Sequence, residues 1–564
     1  MIAAIYKKYK QIPNMKYVMR IILVYLFSQG FLLIVTGMWW DDWDYANKSW
    51  DYLYESFRQS SLPLRAYIQA SLWFLPDGAY RILVFIYFLL GAFLLFNILQ
   101  KLEFISFKDA YTITLLYVVM PINDARITWI CYGYSLSLLI FWLTFYLVIG
   151  WYNRGKSILM RVLLLGLLLL SYDTESIMSM TLLILLYLYY EDLRGKLKHN
   201  PIRDICKECL RVIISYGDFL VAPILFYVIK HKLFPAGGIY AGHNYIPWNS
   251  MISIMVKMPC NALLTLKNVL DRYYSIFNTN SLFVFLAIVI VVAAYLISNK
   301  TDMDMEEEVG SKKTVWLLAL AFLVFLIGLL PYAILVNGDI KIMGTGGRHS
   351  LLLGLGLAMI LYYTIGLCVR KKAQKVAYFI IILLGVLHFN LMYLEYQEDY
   401  YQQLRFRTAV SNCGDIIDND TFLCLNQYPA FIEAYYQYNG NSWIATGEES
   451  RYFLDSTFDL SRLEDMGKDS FILKGSNMRE WNCSPENLFI DGIVIIHNEP
   501  IGIEDLIRLK LLEMFNHSLF EKWIADTSGI TYIPVTKEES ESLIEASRQG
   551  KLTQDNLTDY LERD

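Results

Sequence analysis

Polar residues along this chain fall in short clusters between long apolar runs, and the lengths of those runs set the architecture. An α-helix rises about 1.5 Å per residue, so about 18 to 20 apolar residues cover a hydrocarbon layer of about 30 Å. Runs of that kind lie near 17–38, 79–99, 127–150, 211–229, 281–298, 315–336, 350–369 and 376–394. Shorter ones lie near 109–121, ending at Pro121, and near 158–172 and 177–190, which are separated by the polar break Tyr172-Asp173-Thr174-Glu175-Ser176. The pattern predicts about eleven transmembrane helices within 1–395, with long loops near 39–78 and 230–280.

The pattern changes near Tyr396. Residues 396–564 are polar and acidic, with β-like runs at 421–425, 471–473 and 488–497 and a helix-like stretch at 503–515. A segment of about 170 residues can bury a core of its own. The expected fold class is therefore a polytopic α-helical membrane protein with a C-terminal extracytoplasmic α/β domain.

Charge gives the orientation. Lys7, Lys8, Lys10 and Lys16 precede the first span, and Arg154, Lys156, Arg194, Lys196, Lys198, Lys312, Lys313, Arg370, Lys371 and Lys372 recur in every second loop. Basic loops stay in the cytoplasm. The N-terminus is thus expected inside, and an odd number of spans puts the C-terminal segment outside a membrane expected to be a bacterial plasma membrane. The first 38 residues read as a retained anchor, because Trp39-Trp40-Asp41 follows them without a small-residue cleavage pattern.

Composition narrows the classes. The chain is 55% hydrophobic and only 18% charged, which removes an ordinary soluble enzyme; its net charge of -5 says little about partners, and no nucleic acid is expected among them. The eight cysteines form no disulfide framework. Cys206 and Cys209 have zinc-like spacing with no second pair to complete a site. Gly150-Trp-Tyr-Asn-Arg-Gly155-Lys156-Ser157 matches a phosphate-binding loop literally, but it joins two apolar helices where the motif needs a preceding strand. A turn carrying Arg and Lys is the simpler account.

The tetrad Asp41-Asp42-Trp43-Asp44 stands apart, since three carboxylates at a helix exit are costly to hold near hydrocarbon. They either mark the water boundary or serve chemistry there. For transfer of a sugar from a lipid phosphate, one carboxylate orients the acceptor hydroxyl and takes its proton. A neighbouring carboxylate raises that base's pKa or holds a divalent cation such as Mg or Mn. Both the metal-bound and the metal-free site stay open.

A long first span, an acidic pair opening the first outer loop, a multi-span body and a C-terminal outer domain together resemble the C-type (GT-C) superfamily of membrane glycosyltransferases. The resemblance implies a polyprenyl-phosphate-linked sugar as donor, a cell-envelope glycan or lipid-linked glycan as acceptor, and inversion at the anomeric carbon. It also implies a catalytic acid in the first loop, here Asp41 with Asp42 as partner, or the reverse. Arg348 and His349, with Arg126, are the candidates for the donor phosphate, Arg offering a two-pronged fork. Asp44, Asp173, Glu175 and Arg58 are secondary candidates. Two other readings fit a similar span count: a polysaccharide polymerase or ligase, and a lipid-linked glycan transporter or flippase.

Overall fold

The computed structural model describes residues 15–39, 42, 49–61, 63–72, 75, 78–194, 202–237, 251–278, 311–335, 342, 345–411, 422–426, 442–446, 471–474, 492–496, 501–548 and 561. It divides into two compact units, Met1–Ile34 with Trp50–Leu391, and Val35–Ser49 with Met392–Asp564.

The first unit is helical. Helix α1 (Met15–Gln29) continues as a 3-10 turn, Gly30–Leu33. A short hairpin, α2 (Trp50–Gln59) and α3 (Pro63–Leu72), follows. Then come α4 (Ala79–Lys101), α5 (Phe107–Val118), α6 (Tyr132–Asn153), α7 (Ile158–Ser171) and α8 (Thr181–Leu193), the last entered through a 3-10 segment, Glu175–Met180. After α9 (Ile202–Ser215), α10 (Gly217–Leu233) and α11 (Met251–Asn278) the bundle closes with α12 (Ser311–Leu335), a 3-10 segment Thr345–Leu353, and α13 (Gly354–Cys368).

Among the described residues seven helices are long and apolar enough to cross a membrane: Met15–Leu33, Ala79–Lys101, Tyr132–Asn153, Glu175–Leu193, Lys312–Tyr332, Gly347–Cys368 and Ala373–Gln402. Seven of the eleven runs expected from sequence correspond to these helices, and the other four differ from them as follows. The run near 109–121 is a helix of 12 residues started by a capping box of Ser106 and Asp109. The run near 158–172 gives 14 helical residues. The run near 211–229 is interrupted at Tyr216, leaving a helix of 17 residues. The run 281–298 lies outside the described residues.

Helix α14 (Lys371–Ser411) has 41 residues. At 1.5 Å per residue it is about 60 Å long, twice the hydrocarbon thickness. Its part up to Leu391 belongs to the first unit and the remainder to the second.

The second unit holds a five-stranded sheet in the order β3-β2-β1-β4-β5, made of β1 (Phe422–Asn426), β2 (Ser442–Thr446), β3 (Phe471–Lys474), β4 (Gly492–Ile496) and β5 (Ile530–Pro534). Only β1 and β4 run parallel, with Cys424 opposite Val494; the other pairs are antiparallel. Helices α15 (Ile503–Phe515) and α16 (His517–Thr527) connect β4 to β5, and α17 (Lys537–Arg548) follows. Leu506, Leu509, Phe520 and Ile524 form a core with Tyr401 from α14.

Candidate functional site

Apart from Asp109 near the start of α5, the buried charges described in the first unit gather at one end of the bundle, where α6 begins, α12 ends and the 3-10 segments start. Arg65 on α3 sits 3.1 Å from Asp173, donates to Thr174 Oγ1 and covers the Tyr134 ring at 4.6 Å. A Cβ at Gly133 beside it would lie 2.9 Å from the Arg65 Nε and would force the guanidinium to shift. Burial works against the Arg65 charge, but the Asp173 carboxylate and the Tyr134 ring more than offset it and hold the pKa above its ordinary value.

The polar break that separates two apolar runs in the sequence thus holds buried cations of other helices. Two residues beyond Asp173, Glu175 pairs with Lys230 at the end of α10, and the His231 Nε2 lies 4.0 Å away. Burial pushes the Lys230 ammonium below its ordinary pKa, with Glu175 opposing the shift. Ser176 accepts from the Tyr332 hydroxyl at 3.3 Å, and the Tyr332 ring lies 5.3 Å from that of His349. Arg348 is within electrostatic reach of the same phenol.

A second knot adjoins through the same 3-10 segment. Asn123, in the left-handed region with φ 58°, turns the chain after Pro121, and its N–H donates to the Ser350 hydroxyl at 2.9 Å. Asp124 receives both prongs of Arg272 from α11, at 3.0 and 2.8 Å, and both side chains are buried. Arg126 is held by neutral groups, the carbonyls of Ile122 and Asn123 and the amide oxygen of Gln29, between the rings of Phe88 and Phe389. The hollow beside it is about 20 Å³, room for one water and not for a phosphate. Arg65, Lys230, Arg272, Arg126 and Arg348 thus gather with Asp173, Glu175 and Asp124 at this end.

A groove of about 570 Å³ runs between α1 and α14, lined by Val24, Phe27, Phe31, Ile382, Val386 and Asn390. Its walls are apolar and it opens on the side of the bundle.

In the second unit, the segment that follows the first span is anchored to α14 and α15. Thr36 bonds to Gln397 and, at 2.6 Å, to Glu513, which also receives Lys510 and the Tyr401 hydroxyl. Gly37, with φ 120°, lies flat on the Tyr400 ring, where a Cβ would approach to 2.6 Å. Trp39 is fully buried and meets Tyr396 edge-on at 5.4 Å. The chain then turns, with the Asp42 N–H donating to the Trp39 carbonyl, and the Asp42 residue is fully buried. Asp41 and Asp44 lie outside the described residues. Neither a protein-family model nor a curated protein matches this chain.

Of the candidates from sequence, the structure brings Arg126, Asp173, Glu175, Arg348 and His349 to one end of the first unit. Arg58 stays apart, exposed on α2 and paired with Glu55 at 2.6 Å, where its guanidinium pulls the Glu55 carboxyl down to about 2. No group of three or more His, Cys, Asp or Glu side chains suited to a metal occurs among the described residues. Gly155 and Lys156 have positive φ in a helix-to-helix turn, and the Lys156 ammonium bonds the Tyr216 hydroxyl at 2.7 Å.

Arg272 was not singled out by sequence, although a signal existed. Ala262, Thr265, Val269, Arg272 and Tyr273 are buried at helical spacing on α11. A lone arginine on an otherwise buried helical face demands a buried acid.

Proposed function

We propose that this chain is a membrane glycosyltransferase that moves a sugar from a polyprenyl-phosphate donor to a cell-envelope or lipid-linked glycan at the outer face of the membrane. The observation that carries the reading is the gathering of three charged pairs, Arg65 with Asp173, Lys230 with Glu175 and Arg272 with Asp124, at one end of the helical unit that also holds Arg126 and Arg348. Charged side chains kept at the end of a membrane bundle suit a polar head group, and a lipid phosphate is such a group at membrane level. The apolar groove along α1 and α14 offers a lipid chain a path.

In this reading the acceptor hydroxyl attacks the anomeric carbon opposite the phosphate. Its proton passes to a carboxylate of the Asp41-Asp42 pair while the bond from carbon to phosphate oxygen breaks, the electron pair leaving with the phosphate. Arg348, His349 and Arg126, all in the first unit, are the proposed cations for the donor phosphate. Asp173 and Glu175 keep Arg65 and Lys230 in place. Asp44 is the third acid of the same loop.

Orientation belongs to the same proposal. Lys101, Arg154, Lys156, Arg194, Lys312, Arg370 and Lys371 lie at helix ends opposite the buried cluster, and the rule that basic ends stay inside makes that end cytoplasmic. The C-terminal α/β unit is then outside. Charges at the bundle end, with the ion pairs closed by protein partners, favour transfer over a charged path through the bilayer.

The test is turnover by the purified full chain of a panel of polyprenyl-phosphate sugars with glycan acceptors, with and without EDTA. Asp41→Asn and Asp42→Asn are expected to lose about 100-fold or more in kcat. Arg348→Gln should lose activity with retained folding. No turnover of any donor, or full activity in folded Asp variants, would overturn the proposal.

A further inference from the structure

The end of the bundle away from the charged cluster holds a different cavity, of about 410 Å³, between α4, α6, α8, α12 and α13. Its walls are almost wholly hydrocarbon and indole, including Leu99, Trp142, Leu183, Trp316, Leu320 and Met359. Water does not fill apolar cavities of this kind, because it finds no hydrogen-bond partners there. The volume falls within the range of ligand pockets. An apolar ligand therefore completes the packing.

The mouth identifies its head. Lys101 ends α4 one residue before the lining residue Leu102, and its ammonium lies 3.8 Å from the centre of the Tyr146 ring. Lys312 and Lys313 open α12 one turn before Trp316, so they share its side of the helix. Among the described residues none of these three lysines meets a carboxylate, whereas Arg194 beside them is neutralised by Glu103 and Glu191. Phe104 joins the elements at this mouth, packing on Tyr190 at 5.1 Å and on Trp316 at 5.5 Å.

We infer that this cavity is a binding site for an anionic phospholipid of the surrounding bilayer, one acyl chain filling the space between the helices and the phosphate head lying on Lys101, Lys312 and Lys313. Basic pockets between transmembrane helices take anionic head groups by this combination. The site is distinct from the charged cluster, and it does not depend on the transferase proposal. The acidic stretch 302–308 lies outside the described residues, and head-group selectivity is the quantity to measure.

The experiment is native mass spectrometry of the purified full chain titrated with phosphatidylglycerol, phosphatidylcholine or polyprenyl phosphate, after removal of co-purified lipid. Phosphatidylglycerol is expected to bind in preference to the other two. Leu320→Trp, which fills the cavity, should abolish that binding. Each of Lys101→Gln, Lys312→Gln and Lys313→Gln should reduce it roughly fivefold without affecting phosphatidylcholine. The surface lysine variants leave the helical packing intact, so they report even where Leu320→Trp does not fold. Equal binding of phosphatidylcholine, preference for polyprenyl phosphate, or unchanged selectivity in the lysine variants would overturn the inference.

Discussion

Lys230 shows how a buried charge is decided by its neighbours. It is almost fully buried, its pKa lowered by desolvation and supported by Glu175, with Arg65 adding repulsion. Because the folded state binds that proton less tightly than the unfolded chain, the folded form loses it first as pH rises. Stability contributed by the residue therefore climbs with pH between the lowered pKa and the ordinary value of 10.5. Wild type should gain stability relative to Lys230→Met across that alkaline window and show a constant difference below it. Tm measured in detergent against pH checks this, and a difference that stays flat or shrinks would contradict it. Asp124 and Arg272 meet differently: each prong of the guanidinium donates to the carboxylate, and Nη1 donates as well to the carbonyls of Pro121 and Ile342.

At the scale of elements, local chemistry sets many ends that hydropathy leaves vague. Helix α5 starts at Ser106 because its side chain accepts from the Asp109 N–H while Asp109 accepts from the Ser106 N–H. Ser106→Ala should cost about 1 kcal/mol, read as a lowered unfolding midpoint, and Ser106→Asp should recover most of it. The position of this cap was not drawn from the apolar run, whose start at 109 falls inside the helix. Helix α11 is the larger omission: 230–280 reads as a loop because charges and Pro259 interrupt its hydropathy, yet 28 residues are helical. Its stripe of buried positions supports a helix lying against protein, and Arg272 is the residue that fixes it. Strand positions were easier. Expected runs at 421–425, 471–473 and 488–497 correspond to β1, β3 and β4, since short β-branched and aromatic stretches between polar segments have few other uses.

For the whole molecule, the two ends of the helical unit differ in kind. One collects exposed lysines and arginines at helix termini, and the other buries its charges in pairs and aromatic contacts. If the basic end is cytoplasmic, the free cysteines report it, because Cys368 lies at the end of α13 with the basic residues and Cys260 is exposed on α11. In single-cysteine variants in intact cells, a membrane-impermeant maleimide should label Cys260 at once and Cys368 only after permeabilisation. The reverse order would invert the topology and remove the outer-face transferase.

Sequence by itself determined the class of element and the segments rich in apolar residues, because burial in hydrocarbon needs long uninterrupted runs that composition records directly. It also marked the polar break 172–176 and the segment 345–349 as unusual, since charge next to apolar runs is costly wherever it lies. Tertiary structure decided which charges meet: Arg65 with Asp173, Lys230 with Glu175, and Arg272 with Asp124, pairs separated by 108, 55 and 148 positions. It also decided that residues 35–39 pack with the C-terminal unit through Thr36, Gly37 and Trp39. Such pairings depend on which helix faces adjoin, a property of the packed bundle that hydropathy along one chain does not carry.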